Sequence, residues 1–595
     1  GLGARTIRKV HLNWREKLRA RSPYLLTLGL TFLIGAWLLQ PWSMGAADVF
    51  SAGEDIVALQ TSVTAVGQTG PFATNPHLAY PLGSNPWSFP QLGLAVLVSA
   101  WFLAGVLGLS SGAAALWIFI AALMATGVAV LYLARSFIGN QLPWLAATLS
   151  TAIAVSPFFL VKIGHLNIAV FYIVTLVLAV LMRGLKRDRN WRMWAAVGIF
   201  AATAIASLWW VLVVLLVLPA LMVAIVLQRN WAALRWSLVL ALAVGVGASV
   251  QMILFHSAAI PGAGLGRTAW GANMFGGKFT DLVLASPMLN STLSTKKFDM
   301  LRFGASTEYK PVGIICAILV VALVLLVIKF LPRHVDRSLP SRLVRTDTTL
   351  LGSLSVIAIL FYLTGGLGNV QATLAVLLGS GSPARGFSRF IIIMAIVGMI
   401  WVLLYLCRFV PLWLKDRRGL LTFQGVASVV ILCFVLLDLN ALGAPATAPK
   451  ETLPEFAPVS FLQSKTQPCP VAQLPQEGAP VPRAIMNTTT DAARAEIERE
   501  IYYRGYYPYL IAPDYFWSIG SYVRGQRDSN AITSLGSTLT ASGLASLKAA
   551  GFCAVMYDQQ LAEVPKAEKL AGVRRASDLP APDSRSYRYD LYLLK

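Results

Sequence analysis

The sequence predicts a polytopic α-helical membrane protein of about 11 transmembrane helices with a C-terminal extracytoplasmic α/β domain. Three observations predict it. Hydrophobic residues make up 56% of the 595-residue chain and charged residues only 13%, giving a mean hydropathy of +0.65. The apolar residues fall in continuous runs of roughly 20, enough helix to cross a hydrocarbon core of about 30 Å. Because the runs do not alternate with polar residues, a membrane β-barrel is excluded. The third observation is that the net charge of +22 is distributed unevenly along the chain.

Residues 441–595 hold 16 basic and 15 acidic side chains, leaving 33 basic and 12 acidic in 1–440. The excess clusters at the ends of apolar runs, at 5–21, 183–192, 333–345 and 408–418. That is the positive-inside distribution. Clusters that flank spans do not read as a nucleic-acid surface, so no nucleic-acid partner is expected. The apolar run beginning at Tyr24 is long enough to stay as a span, so no cleaved signal peptide is expected.

The elements follow from the charges. Residues 1–23 read as a cytoplasmic basic N-terminus, 24–42 as an outward span and 43–90 as a long external loop. The basic cluster at 183–192 must be inside again, so an even number of spans precedes it. Five runs are visible there: 24–42, 91–109, 113–134, 143–161 and 168–182. Run 143–161 is expected to fail to cross, because Pro143 opens it and Ser156-Pro157 breaks it. Residues 193–228 read as an outward-and-back pair, and 236–255 leads to a second long external loop, 256–308. Runs 311–331, 348–364, 390–408 and 420–440 complete the transmembrane domain, 24–440. An odd count places the tail, 441–595, outside.

The tail opens with a Pro/Ala-rich linker and is of ordinary domain size. Strands are expected at 469–475, 552–558 and 587–595, and helices at 488–503 and 541–550. No nucleophile elbow, P-loop or dinucleotide fingerprint occurs in it. Cys469 and Cys553 lie in this tail, where an oxidising compartment would let them pair. Cys316, Cys407 and Cys433 lie in apolar runs and read as packing residues, and no metal spacing such as CxxC is present. The aromatic run 502–517, YYRGYYPYLIAPDYFW, reads as core more readily than as a sugar-stacking surface.

Few titratable groups fall on the external side. Glu54-Asp55 follows the first span and precedes the amphipathic stretch IVALQTSVTAV, which suits a helix lying along the interface. A carboxylate there is costly unless it is paired or used, and it suits acid–base work on a hydroxyl. The same pair would also cap the helix, since acids favour helix N-termini. The residues alone leave both readings open. In PARGFSRF, Arg385 and Arg389 are four apart and share a face on a helix, so they can clamp a phosphate. The alternative is interfacial snorkelling. KIGHLN carries Lys162 and His165 just after the broken run, where exposed backbone lines a cavity or other protein. His165 reads equally as a structural histidine or as a group that orients a sugar or pyrophosphate oxygen.

With these residues in place the chain resembles the GT-C superfamily of multispanning glycosyltransferases, which use lipid-phosphate-linked sugars. More narrowly, HLAYPLGSNPWSFPQ, GHLN, FTDLVLASPML, STEYKPVGI and RGFSRF resemble segments of the bacterial YfhO-like branch, in the same order. The resemblance implies a bacterial plasma-membrane enzyme that moves a sugar from a polyprenyl-phosphate donor to a cell-envelope glycan, lipid or protein. It implies that Asp55 or Glu54 serves as general base, and that Arg385 and Arg389 hold the leaving phosphate. His77, Tyr80 and Trp87 would line the substrate cleft, and Asp281 and Glu308 match acidic positions of the branch. Asp55, Glu54, Asp281 and Glu308 offer oxygen ligands for a divalent cation (Mg, Mn or Ca), although no spacing compels one. A flippase of lipid-linked sugars would instead predict inverted repeats and ionisable groups near span centres. Neither is visible here, and a non-catalytic glycan-binding scaffold is the remaining alternative.

Overall fold

A computed structural model describes residues 2–51, 55–81, 83–86, 92–161, 163–258, 312–330, 342–363, 387–414, 416–474, 504–518, 541–558 and 589–594. Among them, seven helices are long and apolar enough to cross a membrane, and four apolar helices are shorter. The expected helix 488–503 lies outside the described residues.

Contacts distinguish two ends of the helix bundle. The first membrane helix, α1 (Leu2–Leu39), leads to the first loop, which contains β1 (Asp48–Phe50) and α2 (Asp55–Thr69). α4 (Ser111–Ile138) starts at that loop: Ser110 accepts the Ala113 N–H at 3.2 Å and donates to the Met44 carbonyl at 2.7 Å. At the far end of α4, the Arg135 guanidinium lies 5.0 Å over the Tyr24 ring. α8 (Tyr172–Gly184) finishes at this second end, where Arg183 donates to Ser136 Oγ at 3.0 Å and to the Tyr132 carbonyl at 3.2 Å. The second end is therefore the basic one.

The early helices correct one expectation. α5 (Pro143–Ala154) begins at the basic end, where Gln424 Oε1 accepts the Trp144 N–H at 3.2 Å in place of an N-cap side chain. The chain breaks at Ser156, as Pro157 dictates, and resumes as α6 (Pro157–Leu160). Pro157 then lies against Gly313, next to Ile314, whose N–H donates to Asp438 at 2.6 Å near the end of the last membrane helix. Residues 143–160 thus run from the basic end to the loop end, and 89% of the window is buried. The failure to cross belongs to run 91–109 instead. There α3 (Leu94–Ala100) continues into a π-helical turn, Trp101–Val106.

Both limits of that run sit at the loop end. A Cβ on Gly93 would meet the Ala206 carbonyl at 2.5 Å, and one on Gly105 would meet the Gly67 carbonyl of α2 at 2.6 Å. Ala206 joins α9 (Arg189–Ile205) to α10 (Leu208–Leu227), the pair expected within 193–228. A proline break did not decide which run crosses, because the helix simply resumed beyond it.

The remaining membrane helices are α11 (Trp231–Ala258), α12 (Ile314–Phe330), α13 (Arg342–Leu363), α14 (Ile391–Trp413) and α15 (Arg417–Leu442), while the short α7 (Leu166–Ala169) lies between α6 and α8. Most of α15 faces outward, with Val426 60% and Val429 61% exposed, as a lipid-facing helix requires.

Beyond α15 the chain returns to the first loop. β2 (Thr447–Pro449) pairs antiparallel with β1, with Val49 opposite Ala448. The tail then builds α16 (Phe456–Lys465), β3 (Pro470–Leu474), α17 (Tyr507–Ile511), β4 (Phe516–Trp517), α18 (Ala541–Ala549), β5 (Ala554–Asp558) and β6 (Tyr589–Leu593). The sheet order is β4-β3-β5-β6, with β3 parallel to both neighbours and β6 antiparallel to β5. All three expected strands are present. Cys469 and Cys553 form a disulfide that joins the entries of β3 and β5 across 84 residues.

Candidate functional site

The first loop is held between the membrane helices and the tail domain. α2 packs on α4 and on the π-helical turn with one side, and on the Arg504–Ile511 segment with another. Val57 and Leu59 are fully buried in this sandwich. The backbone of Asp55 opens α2, where the unpaired N–H groups of a first turn favour a carboxylate. Its position is fixed from both sides. The Phe50 N–H donates to Gln60 Oε1 at 3.1 Å, and Gln60 Nε2 donates to the Asp48 carbonyl at 3.1 Å, so α2 is clamped to β1. On the tail side, the Tyr507 hydroxyl donates to the Phe50 carbonyl at 3.0 Å, and the Ser51 N–H to the Ala446 carbonyl at 3.0 Å. Glu54 lies outside the described residues.

His77 and Tyr80 lie in the seam between this loop and the domain. The Trp517 N–H donates to the His77 carbonyl at 2.9 Å and the Tyr80 N–H to the Trp517 carbonyl at 3.0 Å. The loop thereby extends the β4 edge of the sheet, which would otherwise offer unpaired backbone groups. The His77 ring stacks on Phe516 at 4.6 Å, while Tyr80 meets Phe516 edge-on at 5.9 Å and Phe552 at 5.3 Å. His77 Nδ1 is buried without a hydrogen-bond partner among the described residues. Asn75 Nδ2 donates to the Ala65 carbonyl at 3.1 Å and to Gln68 Oε1 at 2.9 Å, and the Tyr509 hydroxyl donates to Gln68 Oε1 at 2.6 Å. Burial holds the Tyr509 phenol well above its ordinary range, with a hydrogen bond donated by Asn75 Nδ2 at 3.3 Å pulling it down and Asp514 pushing it up. The aromatic run of the tail is therefore core and seam: Tyr507, Tyr509, Tyr515 and Trp517 are all buried.

Arg389 and His165 also come to the loop end, at the start of α14 and just before α7. Arg389 lies in the turn Phe387–Phe390 that opens α14 and is buried, with its guanidinium 4.6 Å over the Trp209 ring. Trp209 packs edge-on against Trp210 at 4.5 Å, and Trp210 against Phe171 at 4.6 Å. α10 also packs on α7, whose N-terminal flanking residue is His165. A chain of ring contacts thus runs from Arg389 through Trp209 and Trp210 to Phe171, at the start of α8. Trp209 is the contributor that sequence reasoning missed; its signal was the Trp-Trp pair just after Ser207, at the start of an otherwise aliphatic helix.

Lys162, Trp87, Asp281, Glu308 and Arg385 lie outside the described residues, as does most of the second loop, 256–308. Among the described residues no group of three His, Cys, Asp or Glu side chains converges to hold a metal ion.

The helix bundle and the paired first loop and tail define a multi-pass membrane protein. No protein-family model and no curated protein matches the chain. Three solved structures are similar in outline. Arabinofuranosyltransferase AftD from Mycobacteria is 14% identical with a TM-score of 0.49, and its R1389S mutant, class 2, is 13% identical with a TM-score of 0.43. Each comparison covers 96% of this chain, which spans only about 40% of those proteins. ArnT from Cupriavidus metallidurans, bound to undecaprenyl phosphate, is 13% identical with a TM-score of 0.45, covering 96% of this chain and 97% of its own. With TM-scores below 0.5, these likenesses set neither a family nor a reaction for this chain.

Proposed function

We propose that the chain is a membrane glycosyltransferase of eleven spans that transfers a sugar from a polyprenyl-phosphate donor to a cell-envelope glycan, lipid or protein. The observation that carries this reading is the placement of Asp55. It opens a buried helix clamped between the membrane domain and the tail domain, at the bundle end remote from the basic clusters. By the positive-inside distribution that end is extracytoplasmic, and the Cys469–Cys553 disulfide fits an oxidising compartment.

In this reading Asp55 takes the proton of the acceptor hydroxyl as that oxygen bonds to the sugar anomeric carbon. The bond from that carbon to the phosphate oxygen breaks, and Arg389, with Arg385, stabilises the charge developing on the leaving phosphate. Trp209 covers one face of the Arg389 guanidinium, whose planar fork matches phosphate oxygens. The test is sugar transfer in proteoliposomes supplied with labelled polyprenyl-phosphate sugars and envelope lipids. Label moving from donor to acceptor is expected. A protein that carries the intact donor across the bilayer without consuming it is a flippase, and the proposal falls.

A further inference from the structure

The basic end of the bundle holds a second feature, separate from the loop-end site. Two turns meet there, one between α8 and α9 and one between α10 and α11. Trp236 of α11 donates from Nε1 to the Leu181 carbonyl at 3.2 Å, and its ring covers Gly184, where any larger side chain would collide. Arg192 of α9 donates to the Gly184 carbonyl at 2.7 Å. Met182, Ile225 and Ala233 share one buried apolar cluster beneath both turns. The two turns are thus locked side by side.

Their surface is strongly cationic. Arg187, Arg189, Arg229 and Arg235 are exposed. None of these four side chains makes a hydrogen bond or ion pair among the described residues, in contrast to Arg183 and Arg192, which are bound to carbonyls. The acid between them, Asp188, is consumed as the N-cap of α9, accepting the Trp191 N–H at 2.8 Å. Flanking the turns are two large exposed indoles, Trp194 at 69% and Trp231 at 59%. Trp rings settle at the headgroup level of a bilayer, and guanidinium forks bind phosphate oxygens in pairs. A soluble acidic protein would match the charge but not the two exposed indoles.

We propose that this paired turn binds the phosphodiester headgroup of an anionic phospholipid, with Trp194 and Trp231 bracketing it in the interface. The site is independent of the transfer reaction. Its test uses the full-length protein in detergent, titrated with phosphatidylglycerol, phosphatidylcholine or inorganic phosphate. Bound lipid is counted by native mass spectrometry and the thermal midpoint followed in parallel. Phosphatidylglycerol is expected to bind and raise the midpoint, with phosphatidylcholine and inorganic phosphate weaker by about tenfold or more. The variant Arg187→Gln/Arg189→Gln/Arg229→Gln/Arg235→Gln should lose that selectivity. A control at another basic cluster, Arg408→Gln/Arg417→Gln/Arg418→Gln, should retain it within about twofold. Since all these arginines are exposed, both variants are expected to keep the parent elution volume and helix content.

Equal losses in the two variants mean a diffuse charge effect and overturn the proposal. Equal binding of the two lipids, or displacement by inorganic phosphate at matched concentration, overturns it as well.

Discussion

At the scale of single residues, the proposed chemistry concentrates on Asp55 and Arg389. The Arg389–Trp209 contact sets a measurable hierarchy. Arg389→Ala removes the cation and should weaken donor binding by tenfold or more, while Arg389→Lys keeps charge without the fork and should fall between. Trp209→Leu keeps apolar packing but deletes the ring face, about 0.5–2 kcal/mol of cation–π attraction. It should raise the donor KM by about twofold to thirtyfold at nearly constant kcat. Donor titrations of the three variants check this, and unchanged affinity in Arg389→Ala returns the side chain to a packing role. Asp55 was legible in the sequence because acids are scarce at the membrane surface there. Trp209 was marked only by its pairing with Trp210, since an indole inside an apolar run reads as core until its neighbour is known.

At the scale of elements, the central fact is that the first loop and the tail domain share one seam. β1 pairs with β2, and the His77–Tyr80 segment extends the sheet at β4. Three strands of the tail, β3, β5 and β6, were readable as short apolar and aromatic segments of the sequence. Their union with residues 400 positions earlier was not, since no local pattern encodes a partner so distant. Tyr507→Phe removes the bond to the Phe50 carbonyl and leaves that acceptor buried, at a cost of about 1–2 kcal/mol, read as a lower thermal midpoint.

The pH dependence of the seam follows from Tyr509. Its folded pKa is raised by burial above the ordinary value of 10.0, so the folded state keeps the proton that the unfolded chain loses. The contribution is full below about pH 10 and is lost as pH rises beyond it. Tyr509→Phe should flatten that alkaline limb in a pH series of unfolding midpoints. A limb that is unchanged means another group governs it.

At the scale of the whole molecule, the charge map and the contacts agree on two distinct ends. The positive clusters and the α9–α10 pair were legible. The choice of the non-crossing run was not, because hydropathy counts apolar residues and does not follow the path of the chain. Run 91–109 is as apolar as its neighbours, yet its π-turn and the close approach of Gly105 to Gly67 keep it at the loop end. The topology makes a direct prediction in a background with Cys316, Cys407 and Cys433 replaced. Single cysteines at Asn140 and Asn190 should react with an impermeant maleimide from one side, and those at Thr74 and Thr452 from the other. Reaction of Asn190→Cys on the same side as Thr452→Cys contradicts the two-ended bundle.

Catalysis by the first loop is tested most directly by sugar transfer in proteoliposomes that carry Asp55→Asn beside the parent protein at equal incorporation. The substitution keeps the size of the side chain and removes its basicity. Donor binding is expected to persist while turnover falls by about a hundredfold or more. Turnover near that of the parent contradicts it.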